Sequence, residues 1–434
     1  MSTKKIKKNK RKKLIFKIFV LLMMYVAIEI MALLYYGITK DKMFSFSQMQ
    51  AYRQKVIEDP HFFSYNNNSE KIVHKIDPQS IHPYLGYVRD AAKLEDTSPY
   101  GFLGENTPFV KKTKDNLVVG VFGGSFAMGV SRRRETFVTM LKKISQFKDK
   151  EIIIQPLTLG GYKQPQQLMT LSYFLSLGVH FDVVINIDGF NEVALPLSDN
   201  IPKKIHPLYP RLWFTRFKKS FNSELLKMMT RSQMQLDKRC EWAKTFSGFF
   251  TDFNVSLNVI YQIYDEKYHN IWNKMQNDLA NYTVSDVKNM EYDVSGPPFD
   301  YENKSLLFDT VIENWFNSSL QMNHLCAANH MEYFHFLQPN QYVPGSKKMT
   351  EKEKKIAFYR DESHPYCQGV LQGYPLLIEK GKELKARDIP FYDLTRIFVD
   401  EDEILYADSC CHLNERGYDL IIEEIVRKMS EKMK

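Results

Sequence analysis

The sequence predicts an α/β fold: a mainly parallel β-sheet, preceded by one N-terminal transmembrane helix and interrupted by an inserted helical subdomain. Three observations support this prediction. Short apolar, β-branched runs alternate with helical or loop sequence, a long apolar stretch follows a basic N-terminus, and a polar and aromatic segment separates the third strand from the fourth. Strands that alternate with helices are typical of a parallel sheet covered on both faces.

The N-terminus has the pattern of a membrane anchor. Residues 1–13 contain eight Lys or Arg residues and no acidic residue, and an apolar run from Leu14 to Ile38 follows. At about 1.5 Å per residue, Ile18 to Ile38 reaches roughly 30 Å, enough to cross a hydrocarbon core. The alternative is a cleaved signal peptide, but its apolar core is typically ~7–15 residues long and ends in small residues. This run ends Leu-Leu-Tyr-Tyr-Gly, which favours an uncleaved anchor.

Two charged residues interrupt the apolar run. Lys17 lies near its start, where the side chain can extend to the lipid headgroups. Glu29 lies deep within the run, where a carboxyl group is costly and indicates a partner, such as a second helix or a membrane protein partner, or a protonated carboxyl. The alternative is that an otherwise apolar helix tolerates one acid.

The basic tail also determines the predicted orientation and the net charge. Basic residues favour the cytoplasmic side, so we expect a single-pass membrane protein with its main domain outside the cytoplasm. The chain has 59 basic and 51 acidic residues, and without the eight basic residues of the tail the two counts are equal. The domain itself is therefore neutral, which argues against a nucleic-acid partner.

The predicted strands locate the domains. The strands are expected at Leu117–Phe122, Glu151–Gln155, Asp182–Ile187, Tyr333–Leu337 and, less clearly, Ile389–Leu394. The chain then divides into a cytoplasmic tail (1–13), a transmembrane helix (14–38), a stalk and domain edge (39–115) and a main domain (116–434). A helical insertion is expected at about 196–300, with a helix near Ser223–Trp242.

The five cysteines have an odd count and no regular spacing, which argues against a disulfide framework but leaves one bridge open outside the cytoplasm. No Cys/His spacing typical of a metal site is present, so we expect neither a metal nor a cofactor.

The candidates for chemistry follow the strands, because ligands of open parallel sheets bind beyond the carboxyl ends of the strands. Ser125 follows the first strand in Gly-Gly-Ser, Gly161 follows the second, and Asn191 follows the third. Asp408 and His412 come just before the last helix. Together these residues offer a nucleophile, two oxyanion donors, a general base and an acid to orient the base.

At these residues the sequence resembles the SGNH (GDSL-like) hydrolases, over roughly residues 80–195 and 330–434. The resemblance implies a flavodoxin-like three-layer fold and ester hydrolysis or acyl transfer through a serine acyl-enzyme. It implies that His412 takes the proton of Ser125. It also implies that the backbone N–H groups of Ser125 and Gly161 and the amide of Asn191 hold the oxyanion.

Two features depart from the family pattern. The usual Gly-Asp-Ser is Gly-Gly-Ser here, so the nucleophile lacks its acidic neighbour. The usual Asp-x-x-His is Asp-x-x-x-His, so Asp408 reaches His412 only if the loop bulges or turns helically; otherwise the site is a Ser–His dyad. Cys410 and Cys411 beside the histidine offer a cysteine nucleophile as a further alternative.

The resulting hypothesis is an extracytoplasmic serine esterase or O-acyltransferase that acts on an acylated glycan or lipid of the cell envelope. The substrate rests on location alone. One alternative is a catalytically inactive carbohydrate-binding or assembly protein of the same fold. Another is a structural partner in a membrane complex, indicated by Glu29 and the insertion.

Overall fold

The computed structural model describes residues 2–40, 43–60, 62, 78–104, 109–215, 223–280 and 292–433. Parts of the predicted stalk and of the predicted insertion lie outside these ranges. The helices and strands of the described residues, with short 3₁₀ and π turns omitted, are α1 (Ser2–Lys40), α2 (Phe46–Glu58), β1 (Gln79–His82), β2 (Gly86–Arg89), β3 (Asn116–Gly123), α3 (Ser125–Arg132), α4 (Arg134–Leu141), β4 (Glu151–Thr158), α5 (Gln166–Ser176), β5 (Val183–Asp188), α6 (Phe190–Leu195), α7 (Ser223–Thr245), α8 (Phe249–Asp252), α9 (Val255–Ala280), α10 (Tyr292–Ser295), α11 (Lys304–Ala328), β6 (Glu332–Leu337), α12 (Glu351–Ala357), α13 (Pro365–Ala386), β7 (Phe391–Asp393) and α14 (Glu415–Lys432).

The chain forms two compact units. The helical unit comprises Met1–Ile76 and Asn222–Tyr282, and the sheet unit comprises Asp77–Phe221 and Thr283–Lys434. Residues 222–282 of the segment predicted as an insertion therefore group with the N-terminal segment, and the rest of that segment groups with the sheet.

The sheet unit contains a five-stranded parallel sheet with the order β4-β3-β5-β6-β7. This is the order of flavodoxin-like folds, in which the chain reverses direction across the sheet beside its first strand. All eight residues of β3 are buried, as expected for a central strand with both faces covered. The α/β fold with a parallel sheet flanked by helices is thus confirmed.

Two groups of helices pack on this sheet. Helices α3 and α4 contact β4 and α14, while α11 and α13 contact β6 and β7 respectively. Among the side chains between them, Trp315 of α11 is fully buried, as are Val118 and Phe122 of β3. Because β3 and β5 are neighbours, the loops that follow them meet at the reversal point of the strand order, where ligands of such sheets bind.

The helical unit contains the apolar N-terminal helix. Over Lys12–Lys40, α1 is long and apolar enough to cross a membrane. Its C-terminal half packs beside α9 in parallel register. Glu29 accepts hydrogen bonds from the N–H groups of Val255 (2.6 Å) and Ser256 (3.3 Å), and Lys40 pairs with Glu266. The Glu29–Val255 and Lys40–Glu266 contacts each join residues 226 positions apart in sequence.

Glu29 therefore has a partner within its own chain. Its carboxylate caps the N-terminus of α9, where the first N–H groups lack helical partners and the helix dipole favours negative charge. Of the partners that the sequence left open for Glu29, the structure places a second helix, α9, beside it. A separate membrane protein that binds through Glu29 stays a prediction.

A buried ion pair joins α7 to α9 within this unit. Arg239 of α7 and Asp265 of α9 are fully buried and lie 2.7 Å apart. The hydroxyl of Tyr52 in α2 donates to the same carboxylate at 2.7 Å. Each charge has a partner, so removal of either side chain would leave an uncompensated charge in the core.

Candidate active site

Ser125 stands at the first position of α3, immediately after β3. Gly123 has a φ of +143°, which L side chains rarely adopt, and a Cβ there would overlap the carbonyl oxygen of Ile187. Gly124 is the N-cap of the helix. This strand–turn–helix geometry presents the serine hydroxyl beyond the carboxyl end of the sheet, beside the unpaired N–H groups of the first helical turn.

His412 lies beside the serine although 287 positions separate the two in sequence. Its Nε2 is 2.8 Å from Oγ of Ser125, and its side chain is 19% exposed. The loop that carries the histidine is closed by a bridge between Tyr406 and Leu413, and the N–H of Ala407 donates to the carbonyl of His412 at 2.9 Å. Asn414 then caps α14, which fixes the end of the loop.

Asp408 reaches His412 despite the additional residue between them. Its Oδ2 lies 2.5 Å from Nδ1 of His412. Its Oδ1 accepts hydrogen bonds from the N–H groups of Cys410 (2.9 Å), Cys411 (3.1 Å) and His412 (3.1 Å). The loop wraps around the carboxylate through these bonds instead of continuing as a helix, and this accommodates Asp-x-x-x-His.

Asn191 lies beside the serine turn. Its Nδ2 donates to the carbonyl of Tyr162 at 2.7 Å, and a Cβ added to Gly124 would overlap this same nitrogen. The Asn191 amide therefore occupies the space that a side chain at position 124 would need.

Gly161 lies in the loop after β4 with a φ of +81°. A Cβ at this position would lie 2.6 Å from Cδ of Arg211 and 2.9 Å from the hydroxyl of Tyr87. The Tyr87 hydroxyl donates to the carbonyl of Gly160 at 2.9 Å, and the Tyr162 hydroxyl donates to the carbonyl of Tyr87 at 2.6 Å. Hydrogen bonds from both sides thus fix this loop, and only glycine fits its tightest point.

A second Ser–His–Asp arrangement lies in the core. Ser319 Oγ is 2.8 Å from Nδ1 of His335, whose Nε2 is 2.8 Å from Asp188, and Trp315 donates to the same aspartate at 2.7 Å. All three members are at most 2% exposed, so no substrate reaches them. This network fixes the end of β5, just before Asn191. Sequence reasoning did not identify His335 and Trp315, which stand on a strand and a helix that carry no motif.

Two buried ionisable groups lie beside the loops that follow β4 and β5. Glu192 accepts hydrogen bonds from the N–H groups of Gly189 (2.8 Å) and Gln164 (3.1 Å), which ties the loops after β4 and β5 together. Burial and the nearby Asp188 raise the pKa of Glu192 to about 8. Burial lowers the pKa of Lys163 to about 7, and its Nζ donates to the carbonyls of Pro207 (2.5 Å) and Tyr209 (2.7 Å).

The adjacent cysteines have a different environment from the serine. The Sγ atoms of Cys410 and Cys411 lie 3.4 Å apart as free thiols, and burial raises the pKa of Cys411 well above its usual value. A thiol with a raised pKa is a poor nucleophile. Both thiols and His412 place ligand atoms within 4.8 Å of one another, but the two ring nitrogens of His412 already face Ser125 and Asp408.

The structure thus brings together all five predicted site residues from the loops after β3, β4 and β5 and before α14. Ser125, His412 and Asp408 form a continuous hydrogen-bonded chain. The Asn191 amide reaches the Gly124 turn, and the carbonyl of Tyr162, next to Gly161, accepts its hydrogen bond. Such an arrangement can activate a hydroxyl for attack on a carbonyl carbon.

Comparison with known proteins finds similar solved structures and no match by sequence. No family model matches the sequence, and no curated protein matches it. A lipase/acylhydrolase from Enterococcus faecalis is similar at 11% identity with a TM-score of 0.32, covering 73% of this chain and 96% of its own. An acetyl xylan esterase is similar at 13% identity with a TM-score of 0.31, covering 73% of this chain and 100% of its own.

A third solved structure is a gut microbial diltiazem-metabolizing enzyme, similar at 10% identity with a TM-score of 0.33 over 74% of this chain. This chain spans about half (49%) of that protein's length. The assignment of roles in the site rests on the geometry of the present chain.

Proposed function

We propose that this protein is a membrane-anchored serine hydrolase or O-acyltransferase of SGNH type that acts on an ester outside the cytoplasm. The observation that carries the proposal is the chain from Ser125 Oγ through His412 to Asp408, with contacts of 2.8 Å and 2.5 Å. Hydrogen-bond reach between nucleophile and base, and between base and acid, is the geometric requirement of such a triad.

The reaction then proceeds in two stages. His412 takes the proton of Ser125 through Nε2 as Oγ attacks the ester carbonyl carbon, and Asp408 stabilises the imidazolium. The N–H groups of Ser125 and Gly161 and the amide of Asn191 hold the oxyanion. His412 returns the proton to the departing alcohol, which leaves an acyl group on Ser125. Water or a second hydroxyl then attacks, with His412 as base, and the serine is regenerated.

The substrate proposal follows from the proposed location. The basic residues at the start of α1, before its apolar stretch, favour a cytoplasmic N-terminus, and this supports a sheet unit on the side of the cell envelope. Acylated glycans and lipids are the esters that an anchored enzyme meets there. A reporter enzyme that is active only outside the cytoplasm, fused after Lys434, tests this orientation. Activity supports it, and a silent fusion in a stably expressed protein contradicts it.

Labelling with a fluorophosphonate probe tests the chemistry. We expect the full-length protein to be labelled and Ser125→Ala to be unlabelled. Ser319→Ala is the matched control because it removes the serine of the buried arrangement and should leave the label in place. Labelling that survives Ser125→Ala, or no labelling of the folded protein, would contradict the proposal.

The non-catalytic alternative depended on Asp408 failing to reach His412. The 2.5 Å contact between the two side chains supports the catalytic proposal instead.

A further inference from the structure

The turn between α7 and α9 exposes a cluster of phenylalanines. Phe249, Phe250 and Phe253 are 76%, 82% and 68% exposed. Their rings contact one another, with centroids 6.1 Å apart for Phe249 and Phe250 and 5.2 Å apart for Phe249 and Phe253. Scattered exposed apolar residues are ordinary on a soluble surface, whereas a contiguous aromatic cluster indicates contact with an apolar partner.

This cluster lies beside the apolar helix α1. Asn254, which follows Phe253, donates from Nδ2 to the hydroxyl of Tyr25 at 2.9 Å, and Glu29 caps the helix that starts at Val255. Glu29 precedes Lys40 by eleven residues, or about 16 Å of helix. The turn is therefore level with the apolar stretch of α1, well before the C-terminal end of that helix.

The residues on either side of the turn have the pattern of a membrane interface. Trp242 of α7 packs on Tyr264 of α9, with ring centroids 5.1 Å apart, and Trp and Tyr concentrate where lipid headgroups meet hydrocarbon. Glu241 and Lys244 are exposed and pair at 2.9 Å. Lys244 lies one residue before the end of α7, and the short turn 246–248 connects α7 to Phe249, so this charged pair adjoins the phenylalanine cluster in sequence.

The polar groups of the turn are compatible with lipid because they bond to side chains of neighbouring helices. Arg53 of α2 lies 2.6 Å from Asp252 and also donates to Asn258. Asn258 donates to the carbonyl of Thr251 at 2.5 Å. A turn at membrane depth requires such internal satisfaction, since hydrocarbon offers no hydrogen bonds.

We propose that the turn of residues 248–254, named here the aromatic tip, inserts beside α1 into the lipid leaflet that contains the C-terminal half of the apolar stretch of α1. The ligand is the acyl-chain region of the bilayer. This inference rests on the membrane-anchored part of the proposed function and is independent of the serine chemistry. Glu29 then acts inside the membrane, where it binds the start of α9 and fixes the depth of the aromatic tip.

Photocrosslinking in lipid vesicles tests this proposal on the full-length protein. A benzophenone amino acid is placed at position 250, at Leu22 of α1 as the anchor control, and at Gln233, an exposed position on α7 eleven residues before Lys244, as the aqueous control. In phosphatidylcholine vesicles we expect lipid adducts at positions 250 and 22 in similar yield, and none above background at position 233.

The outcomes distinguish the insertion of the aromatic tip from the membrane anchoring by α1. Adducts at position 22 without adducts at position 250 overturn the insertion of the aromatic tip and leave the anchor intact. No adducts at either position overturn the anchor and the aromatic tip together. A protein adduct at position 250 in place of lipid makes the aromatic tip a contact between protein chains and also overturns the proposal.

Discussion

Asp408 Oδ2 lies 2.5 Å from Nδ1 of His412, although three residues separate the two in place of the two usual in SGNH hydrolases. The three N–H groups that bind Oδ1 of the same carboxylate explain how the longer loop brings them together. The aspartate therefore has two roles, since one oxygen shapes the loop and the other orients the imidazole.

The two roles can be separated by Asp408→Asn. The Asn carbonyl oxygen can still accept the three loop N–H groups, whereas its NH₂ group cannot accept from Nδ1 of His412. We expect kcat for a model ester to fall by roughly 10²–10⁴-fold, with the fold retained, as in other triads with this change. Steady-state kinetics and circular dichroism measure the two effects. A kcat within about twofold of wild type would show that the site works as a Ser–His dyad.

Gly124→Asp restores the Gly-Asp-Ser of the family and should nevertheless impair activity. The new Cβ would overlap Nδ2 of Asn191 and displace the proposed oxyanion donor. Loss of one such donor costs about 10²–10³-fold in kcat. Gly160→Ala is the control, because a Cβ there meets nothing within 4 Å. Equal kcat values for the two variants would mean that Asn191 does not act on the reaction.

The combined change Cys410→Ala and Cys411→Ala should preserve fluorophosphonate labelling and kcat. Both thiols lie next to His412, but the raised pKa of Cys411 keeps that thiol protonated. Esterase assays and labelling of the double variant measure the effect. A loss of labelling in a variant that still folds would reassign the nucleophile to a thiol.

Lys163 should make stability depend on pH. Its folded pKa of about 7 lies below its ordinary value of 10.5, so the folded state binds fewer protons between these pH values. The contribution of Lys163 to the free energy of unfolding should therefore rise as pH increases from about 7 to about 10.5. Lys163→Met should flatten this rise in denaturant titrations, while the exposed Lys355→Met should not. The same slope in Lys163→Met as in wild type would exclude Lys163 as its source.

Glu29→Leu should loosen the start of α9. Without the carboxylate, the N–H groups of Val255 and Ser256 lose their caps, which costs about 1 kcal/mol, or roughly fivefold faster hydrogen exchange at these amides. Hydrogen exchange of the protein in nanodiscs measures this. Glu266→Gln, which removes the pairing partner of Lys40, should leave these two amides unchanged. Equal protection in wild type and Glu29→Leu would show that the cap contributes no stability.

The strands of the sheet were predictable because each is a short apolar run bounded by turn residues. Predicted strands such as Leu117–Phe122 and Asp182–Ile187 correspond to β3 and β5 with ends shifted by about one residue. The pairing of residues 222–282 with the N-terminal segment was not predictable, because it depends on contacts such as Arg239 with Asp265 that have no local pattern. The grouping of α2 with these helices was missed for the same reason.

The sequence motifs predicted which residues form the candidate site. Ser125 and Asn191 follow strands that are neighbours in the sheet, so their proximity follows from the fold. Whether Asp408 reaches His412 depended on side-chain to backbone hydrogen bonds within one loop, which spacing does not encode. The partner of Glu29 could not be predicted from the sequence either, because it is a pair of backbone N–H groups.

The separation of more than 220 positions between the α1 and α9 residues that contact one another has a consequence for biosynthesis. Strands β3, β4 and β5 leave the ribosome before α9 does, and β6 and β7 leave it after. The helical unit is therefore completed while the parallel sheet is still half made. The order of translation means that the helical unit assembles between the first three strands of the sheet and the last two. A pause or truncation between residues 189 and 331 would leave β3, β4 and β5 without β6 and β7.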